Sequence, residues 1–478
     1  MRDYKFLFIV AALFLGACST NPATGQQQFT ALMSPQQEVQ VGASEHQKIV
    51  KQFGLYKNAS INAYVNEVGK RVTTDTERPD VNYTFYVLDS PIVNAFALPG
   101  GYIYVSRGLL ALANSEAELA AVLSHEAGHI TGRHSAERYS RGVVTSLGAG
   151  ILSAVLDAPG ASQALGTGAN LYLSSYSRGQ ENEADSLGLR YMTRAGFSAN
   201  AMPSFLSSLK QQSELDAQLA GRKKAAGASY FSTHPATADR VVQTTAQAQS
   251  YPKGGLVNHD KHLSRLSGMI YGDSAEQGFV RGTKFYHSGM GFTFEVPQGF
   301  NMNNQPSQVV ATSSSGAALI FDMAPNKEGL DAVSYMKAWV KNKPLQGLEA
   351  IQVHGRKGAT GAFAGEVNGR PVTIRLVAIE WGNRFVRFQM AIPAGADNAL
   401  LTAMKKATYS FRSMTDKEKQ SVRPYRVKTY KAKAGDTIAS LARRQPFTKL
   451  QQERFRVLNG LNPAEQIKAG KLYKVISD

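Results

Sequence analysis

Residues His125-Glu126-Ala127-Gly128-His129 set two imidazoles four positions apart, with a carboxylate directly after the first. On a helix, positions i and i+4 share a face about one turn apart, so both rings can aim a nitrogen at one point. For zinc that point lies about 2.0–2.1 Å from each nitrogen. Glu126 falls about 100° round the helix, placed to touch a water beside the ion rather than the ion itself. The chemistry such a set supports is metal-assisted hydrolysis, with one Zn2+ per chain.

A catalytic zinc takes three protein ligands and leaves a fourth position open. His134 is the nearest further histidine. In the spacing H-E-x-x-H-x-x-G-x-x-H the glycine falls on Gly132, but the last histidine would have to stand at Ser135. If the helix continues, His134 points to its opposite side and is a poor ligand. GQENEADSLG offers a better one, because Glu181 and Asp185 lie four apart on one helical face. Glu181 completes a His2Glu set, and Asp185 can accept the second ring N–H of a ligand histidine and fix its tautomer. Glu183, about 200° from Glu181 on the same helix, is expected to face elsewhere.

The elements that must hold these residues are legible nearby. Ser115 with Glu118 three positions on reads as a capping box, and ELAAVLSHEAGHI then runs apolar for several turns. Ahead of it, VNYTFYVL alternates as a half-buried strand, and IVNAFALPGGYIYV reads as strand, Pro-Gly-Gly turn and strand. Asn94, Ala95, Phe96, Ala97 and Leu98 form either an edge strand, against which an extended peptide can pair through its backbone, or an ordinary internal hairpin strand. Earlier still, Ser34, Pro35 and Gln37 mark a capped helix start. Residues 143–173, rich in Gly, Ala, Ser and Leu, are read as a small-residue helical hairpin packed on the core, with a mobile lid as the alternative.

HEAGH, followed some fifty residues on by Glu181-Asn182-Glu183-Ala184-Asp185, resembles the gluzincin metallopeptidase family of HtpX, the CAAX prenyl endopeptidases and the Oma-type proteases. The likeness extends to its soluble periplasmic branch through Asn21 to Gly25, Asn94 to Gly101 and Thr233-His234-Pro235. It covers roughly residues 20 to 270. It implies His125, His129 and Glu181 as zinc ligands, Glu126 as general base and Asp185 behind the ligands. It also singles out His234 and Arg240, at the two ends of an H-P-x-x-x-x-R stretch. Either is expected to stabilise a tetrahedral oxyanion, or His234 to occupy the open metal position and hold the enzyme off; a plain helix-capping turn at STHP is the bland alternative.

The N-terminus and the overall charge bear on location. MRDYK, the apolar run FLFIVAALFL and the small residues before Cys18 read as an export signal over 1–18, too short to span a bilayer as a helix. Cys18 is the only cysteine, which excludes an internal disulfide. Leu15-Gly16-Ala17-Cys18 resembles a lipobox, which implies acylation of Cys18, and Ser19 after it implies an outer-membrane anchor facing the periplasm of a Gram-negative bacterium. A net charge of +17 is read as a solvated basic face. Export argues against nucleic acid as the partner and leaves anionic headgroups or cell-wall polymer within reach.

The expected architecture is multidomain. A mainly α-helical, zincin-type protease domain with a small β-sheet is expected over 19–270. An α+β domain with an antiparallel sheet and one helix, around LDAVSYMKAWVKN, follows over 283–413. Residues 424–478 resemble a LysM module of βααβ order, matching at Ala434 to Thr437, Leu458 to Leu461 and Ile467 to Leu472, which implies peptidoglycan binding. The function so implied is zinc-dependent endopeptidase action on unfolded or misassembled envelope proteins. The alternative is a non-catalytic lipoprotein, a chaperone or peptidoglycan-binding scaffold on the same fold.

Overall fold

Helix starts fall where side chains can satisfy the orphan backbone N–H groups. Ser34 caps helix Pro35–Phe53 with a complete capping box through Gln37, and Asn58 caps Ala59–Thr73. These and the following elements come from a computed structural model that describes residues 19–155, 175–221, 230–235, 238–341 and 343–478. The chain divides into two units, residues 1–272 together with 426–477, and residues 273–425 with 478. Cys18 and residues 156–174 of the glycine-rich stretch lie outside the described residues.

In the first unit a three-stranded sheet runs in the order Thr84–Leu88, Tyr102–Ser106, Ala95–Leu98, the first pair parallel and the second antiparallel. Gly100 and Gly101 take φ of 79° and 100° in the turn between the antiparallel strands. Ala95–Leu98 therefore lies at a sheet edge, with all four residues buried. Helix Glu116–Thr131 follows, and every one of its residues is buried. A helix apolar or buried all round belongs in a core. Its Ser115 cap accepts from Glu118 N as expected, but the box is not reciprocal. The Glu118 carboxylate reaches past the cap to Asn114 N at 2.7 Å and to Ser204 Oγ at 2.7 Å.

The helix does not continue into His134. Gly132 ends it, Arg133 takes φ 51°, and a new helix, His134–Val155, starts in another direction. Helix Arg178–Arg194, boxed by Ser177 and Gln180, packs along Glu116–Thr131. The crossing is close because both sides offer glycine. A Cβ on Gly128 would stand 2.9 Å from the Ala184 carbonyl oxygen, and one on Gly188 would stand 3.1 Å from His125 N.

The C-terminal segment was expected as a module of its own, yet it groups with this first unit. Its order is strand Tyr425–Lys431, helices Ile438–Ala442 and Gln451–Leu458, and strand Leu472–Ser477. The two strands pair antiparallel, and Ile270–Tyr271 joins them as a third. Lys474, fully buried, donates to the carbonyls of Ala111 at 2.6 Å and Ala113 at 2.7 Å, at the buried C-terminal end of helix Arg107–Leu112. A cation there meets carbonyls that have no helical partner.

The second unit carries a seven-stranded antiparallel sheet spanning Asn301 to Pro393 and a four-stranded sheet built around Phe292–Glu295. The expected helix is Ala332–Trp339. A second helix, Asn398–Tyr409, was not anticipated, although Asp397 caps it and it buries Met404 and Ala407.

Replacing Lys474 with methionine keeps the length of the side chain and removes the donor. The loss is expected to cost about 2–4 kcal/mol, read as a lower urea midpoint at unchanged slope.

Candidate metal centre

The two helices deliver the residues expected of them. His125, His129 and Glu181, joined by His234, offer ligand atoms that all lie within 4.8 Å of one another. All four are at most 1% exposed. His125 Nε2 and His129 Nε2 are 3.0 Å apart, and His129 Nε2 and His125 Nε2 stand 3.4 Å and 3.6 Å from the Glu181 carboxylate. His234 Nδ1 lies 3.3 Å from His125 Nε2 and 3.0 Å from Glu181 Oε1.

These spacings test whether a metal fits. Four donors on a tetrahedral zinc at about 2.0–2.1 Å stand about 3.3–3.4 Å from one another. The observed donors surround a point at nearly that spacing. Imidazole lone pairs facing each other at 3.0 Å repel unless a proton or a cation lies between them. Burial pushes His129 well below the ordinary imidazole value, so this ring offers a lone pair rather than a charge. Burial acts to raise the Glu181 carboxyl, but His234 and His129 outweigh it and hold it well below the usual carboxylate range. A neutral ring beside a fixed anion suits a divalent cation.

Behind the donors sits a charged layer. Asp185 Oδ1 stands 2.9 Å from His125 Nδ1, as expected of a residue that fixes the ring's tautomer. Arg240 grips Asp185 with two bonds of 2.8 Å, and its remaining nitrogen meets Glu181. Burial disfavours the Arg240 charge, yet Asp185 and Glu181 outweigh it and keep the guanidinium protonated. Arg240 is thus 2% exposed, with its guanidinium spent on the carboxylates behind the donors.

Glu126 is fully buried, and neither carboxylate oxygen has a hydrogen-bond partner. Burial raises its carboxyl above the usual range, and the nearest cation-forming group is His234, whose Nε2 lies 3.5 Å from Oε1. An unpaired buried carboxylate is costly as structure and useful as a proton acceptor.

Several residues escaped the sequence reading. His134 is not on the far side of the helix: its Nδ1 stands 2.8 Å from His129 Nδ1, and Glu183, expected to face elsewhere, lies 3.5 Å from its Nε2. The break at Gly132-Arg133 turns His134 back towards the site. Neither residue joins the donor cluster. Tyr176 stacks on His129 with centroids 3.7 Å apart, and Tyr230 stacks on His234 at 4.4 Å. The only sequence cue for Tyr176 was its place just before the Ser177 cap. Ala97, Leu98, His129 and Ile130 line a small cavity of about 10 Å³ that lies between the edge strand and one donor, His129.

Two helices that present such donors, with an unpaired carboxylate beside them, define a metallopeptidase-type centre. The family profile of peptidase family M48 matches residues 59–248, which include every donor. A putative beta-barrel assembly-enhancing protease of Vibrio cholerae is 32% identical over 240 residues, 47% of this chain and 48% of that one. The beta-barrel assembly-enhancing protease of Escherichia coli is 29% identical over 212 residues, 42% of this chain and 43% of that one. The mitochondrial metalloendopeptidase OMA1 of Schizosaccharomyces pombe is 30% identical over 250 residues, 50% of this chain and 71% of that one. The chain belongs to peptidase family M48, a zinc-dependent family. The match spans about half the length of the beta-barrel assembly-enhancing proteases.

Substituting Gly128 by alanine is expected to push Ala184 and with it Glu181 away, at a cost of about 1–3 kcal/mol for overpacking, and to lower zinc content in metal analysis. Arg240→Met leaves two buried carboxylates with only imidazole partners. It is expected to cost about 3–5 kcal/mol, seen as a lower thermal midpoint.

Proposed function

We propose that the chain is a zinc endopeptidase that cleaves unfolded or misassembled cell-envelope proteins in the periplasm. The observation that carries this reading is the pairing of a four-donor cluster with a buried Glu126 whose oxygens make no hydrogen bond. His125, His129 and Glu181 would hold the zinc ion, which when bound would supply Lewis-acid polarisation of a peptide carbonyl and of a water. Glu126 takes the water's proton and passes it to the leaving amine. Asp185 holds the His125 ring, and Arg240 positions the two carboxylates rather than touching substrate.

Ala95–Leu98 supplies the substrate platform in this reading. Its place at the sheet edge, and the nearness of Ala97 and Leu98 to His129 across a small cavity, support it. An extended peptide paired there is read through its backbone, which suits substrates without a folded structure. The names of the bacterial relatives, beta-barrel assembly-enhancing proteases, support substrates of the envelope.

His234 holds the site closed. Its Nδ1 lies 3.3 Å from His125 Nε2 and would occupy a ligand position of a bound ion in place of water, and its Nε2 lies 3.5 Å from Glu126. The segment Tyr230–Thr233 also bonds to Val93 O at the start of the edge strand, through Tyr230 N at 2.9 Å. Withdrawal of this one segment frees both that ligand position and the strand end.

Location follows from the sequence. Acylation of Cys18 anchors the chain to the outer membrane, and the βααβ segment over 424–478 contributes peptidoglycan contact as a LysM-like module. Among the described residues no helix is long and apolar enough to cross a membrane.

Two variants test the reading on an unfolded substrate such as reduced casein. Glu126→Gln is expected to keep its zinc and lose cleavage by at least a hundredfold. His234→Ala is expected to cleave several-fold faster than wild type. Equal cleavage by Glu126→Gln and wild type would refute the enzyme, and a slower His234→Ala would refute the closed state.

A further inference from the structure

His129 is oriented by a chain of contacts that leads away from the cluster to the very start of the described residues. To present Nε2 as a donor, His129 must carry its ring proton on Nδ1, which faces His134 Nδ1 at 2.8 Å. His134 then accepts at Nδ1 and carries its own proton on Nε2. That nitrogen has no hydrogen-bond partner, and Glu183 Oε2 stands 3.5 Å from it. The other oxygen of Glu183 accepts from Asn21 Nδ2 at 3.4 Å.

Asn21 is only 1% exposed and heads a tight turn. Its Oδ1 accepts from Ala23 N at 2.8 Å, its backbone carbonyl accepts from Gly25 N at 2.8 Å, and Ala23 O accepts from Arg190 at 2.9 Å. The strand pair Ser19–Thr20 with Gln27–Gln28 closes this turn into a hairpin.

The same hairpin grips the helix break that brings His134 round. Gln28 Nε2 donates to Gly132 O at 2.7 Å. Arg133, in the left-handed region, donates to Thr30 Oγ1 at 3.1 Å and Met33 O at 2.7 Å. Gly132 itself leaves the space the ring needs, since a Cβ there would lie 2.4 Å from His134 Nε2. Two independent sets of contacts from residues 19–33 therefore converge on one imidazole.

We propose that the hairpin of residues 19–28, acting through Glu183 and His134, positions the His129 ligand, so that the residues next to the acylation cysteine form an outer layer of the metal centre. His134, Glu183 and Asn21 are positioning residues, for none of them belongs to the donor cluster. Partners of this kind raise metal affinity about 10–100-fold by fixing the ring and its tautomer. The proposal rests on the cluster holding zinc and not on what the enzyme cleaves. It makes the anchored end of the chain a determinant of metal loading.

The test uses the full chain stripped of metal, with zinc affinity measured by competition against a chelating dye. The absorption spectrum of the Co2+-loaded protein serves as a second readout. His134→Phe and Asn21→Ala are expected to weaken zinc about 10–100-fold and to shift the Co2+ spectrum, with the metal-free thermal midpoint close to wild type. His134→Asn, whose amide oxygen can accept from His129 Nδ1, is expected to restore most of the affinity. Unchanged affinity and spectrum in both His134→Phe and Asn21→Ala overturn the proposal while leaving the zinc site intact. So does a loss that tracks a fallen metal-free midpoint and is not rescued by His134→Asn. A wild type that takes up no zinc overturns both this proposal and the metal centre.

Discussion

The close crossing of helices Glu116–Thr131 and Arg178–Arg194 is the constraint on which the site depends. Gly128 lies against Ala184, and Gly188 lies against the backbone of His125, so each helix touches the other at the level of its donors. Side-chain reach then does the rest. A glutamate and two histidines can converge on one point only if their backbones approach this closely. Any β-carbon in the seam would lengthen the gap by a sizeable part of a metal–ligand bond. The complete burial of Glu116–Thr131 serves the same need, because burial keeps the His129 ring a lone-pair donor beside a carboxylate.

Burial makes the charge balance exacting. Glu126, Glu181 and Asp185 are all at most 2% exposed, and Arg240 supplies the one guanidinium bound to two of them. Arg240 neutralises the layer behind the donors, which leaves the layer in front electron-rich and open to a cation. Glu126 receives no such partner, and its orphaned oxygens mark where chemistry rather than stability sets the residue.

Local signals in the chain were enough for the donors. The i, i+4 pairs, the capped helix at Ser115 and the Pro-Gly-Gly turn each depend on neighbours within a few residues. What escaped depended on a change of direction or on distant contact. His134 was placed by assuming a continuous helix, and a single residue at positive φ, Arg133, reverses that inference. Arg240 gave no cue in its neighbours that it would turn towards Asp185, fifty-five positions away. Helix Asn398–Tyr409 was legible at Asp397 and overlooked amid a strand-rich texture. The docking of residues 426–477 through buried Lys474 has no local signature, since a lysine in an alternating strand reads as solvent-facing.

In the proposed reading, closure by His234 is reversible because this residue is held differently from the donors it covers. His125, His129 and Glu181 stand on long helices locked by backbone contact. His234 follows the single helical turn Tyr230–Thr233, held by the bonds Tyr230 N to Val93 O and Tyr176 N to Thr233 O, and by stacking of Tyr230 on its own ring. Releasing it breaks a few hydrogen bonds and ring contacts without disturbing the seam. Each hydrogen bond broken is worth about 0.5–1.5 kcal/mol net, and the contact of His234 with a bound ion would add to what a substrate strand must offset. A peptide that pairs along Ala95–Leu98 competes for the strand end that anchors Tyr230. In the proposed reading the substrate thereby displaces the residue that blocks its own hydrolysis.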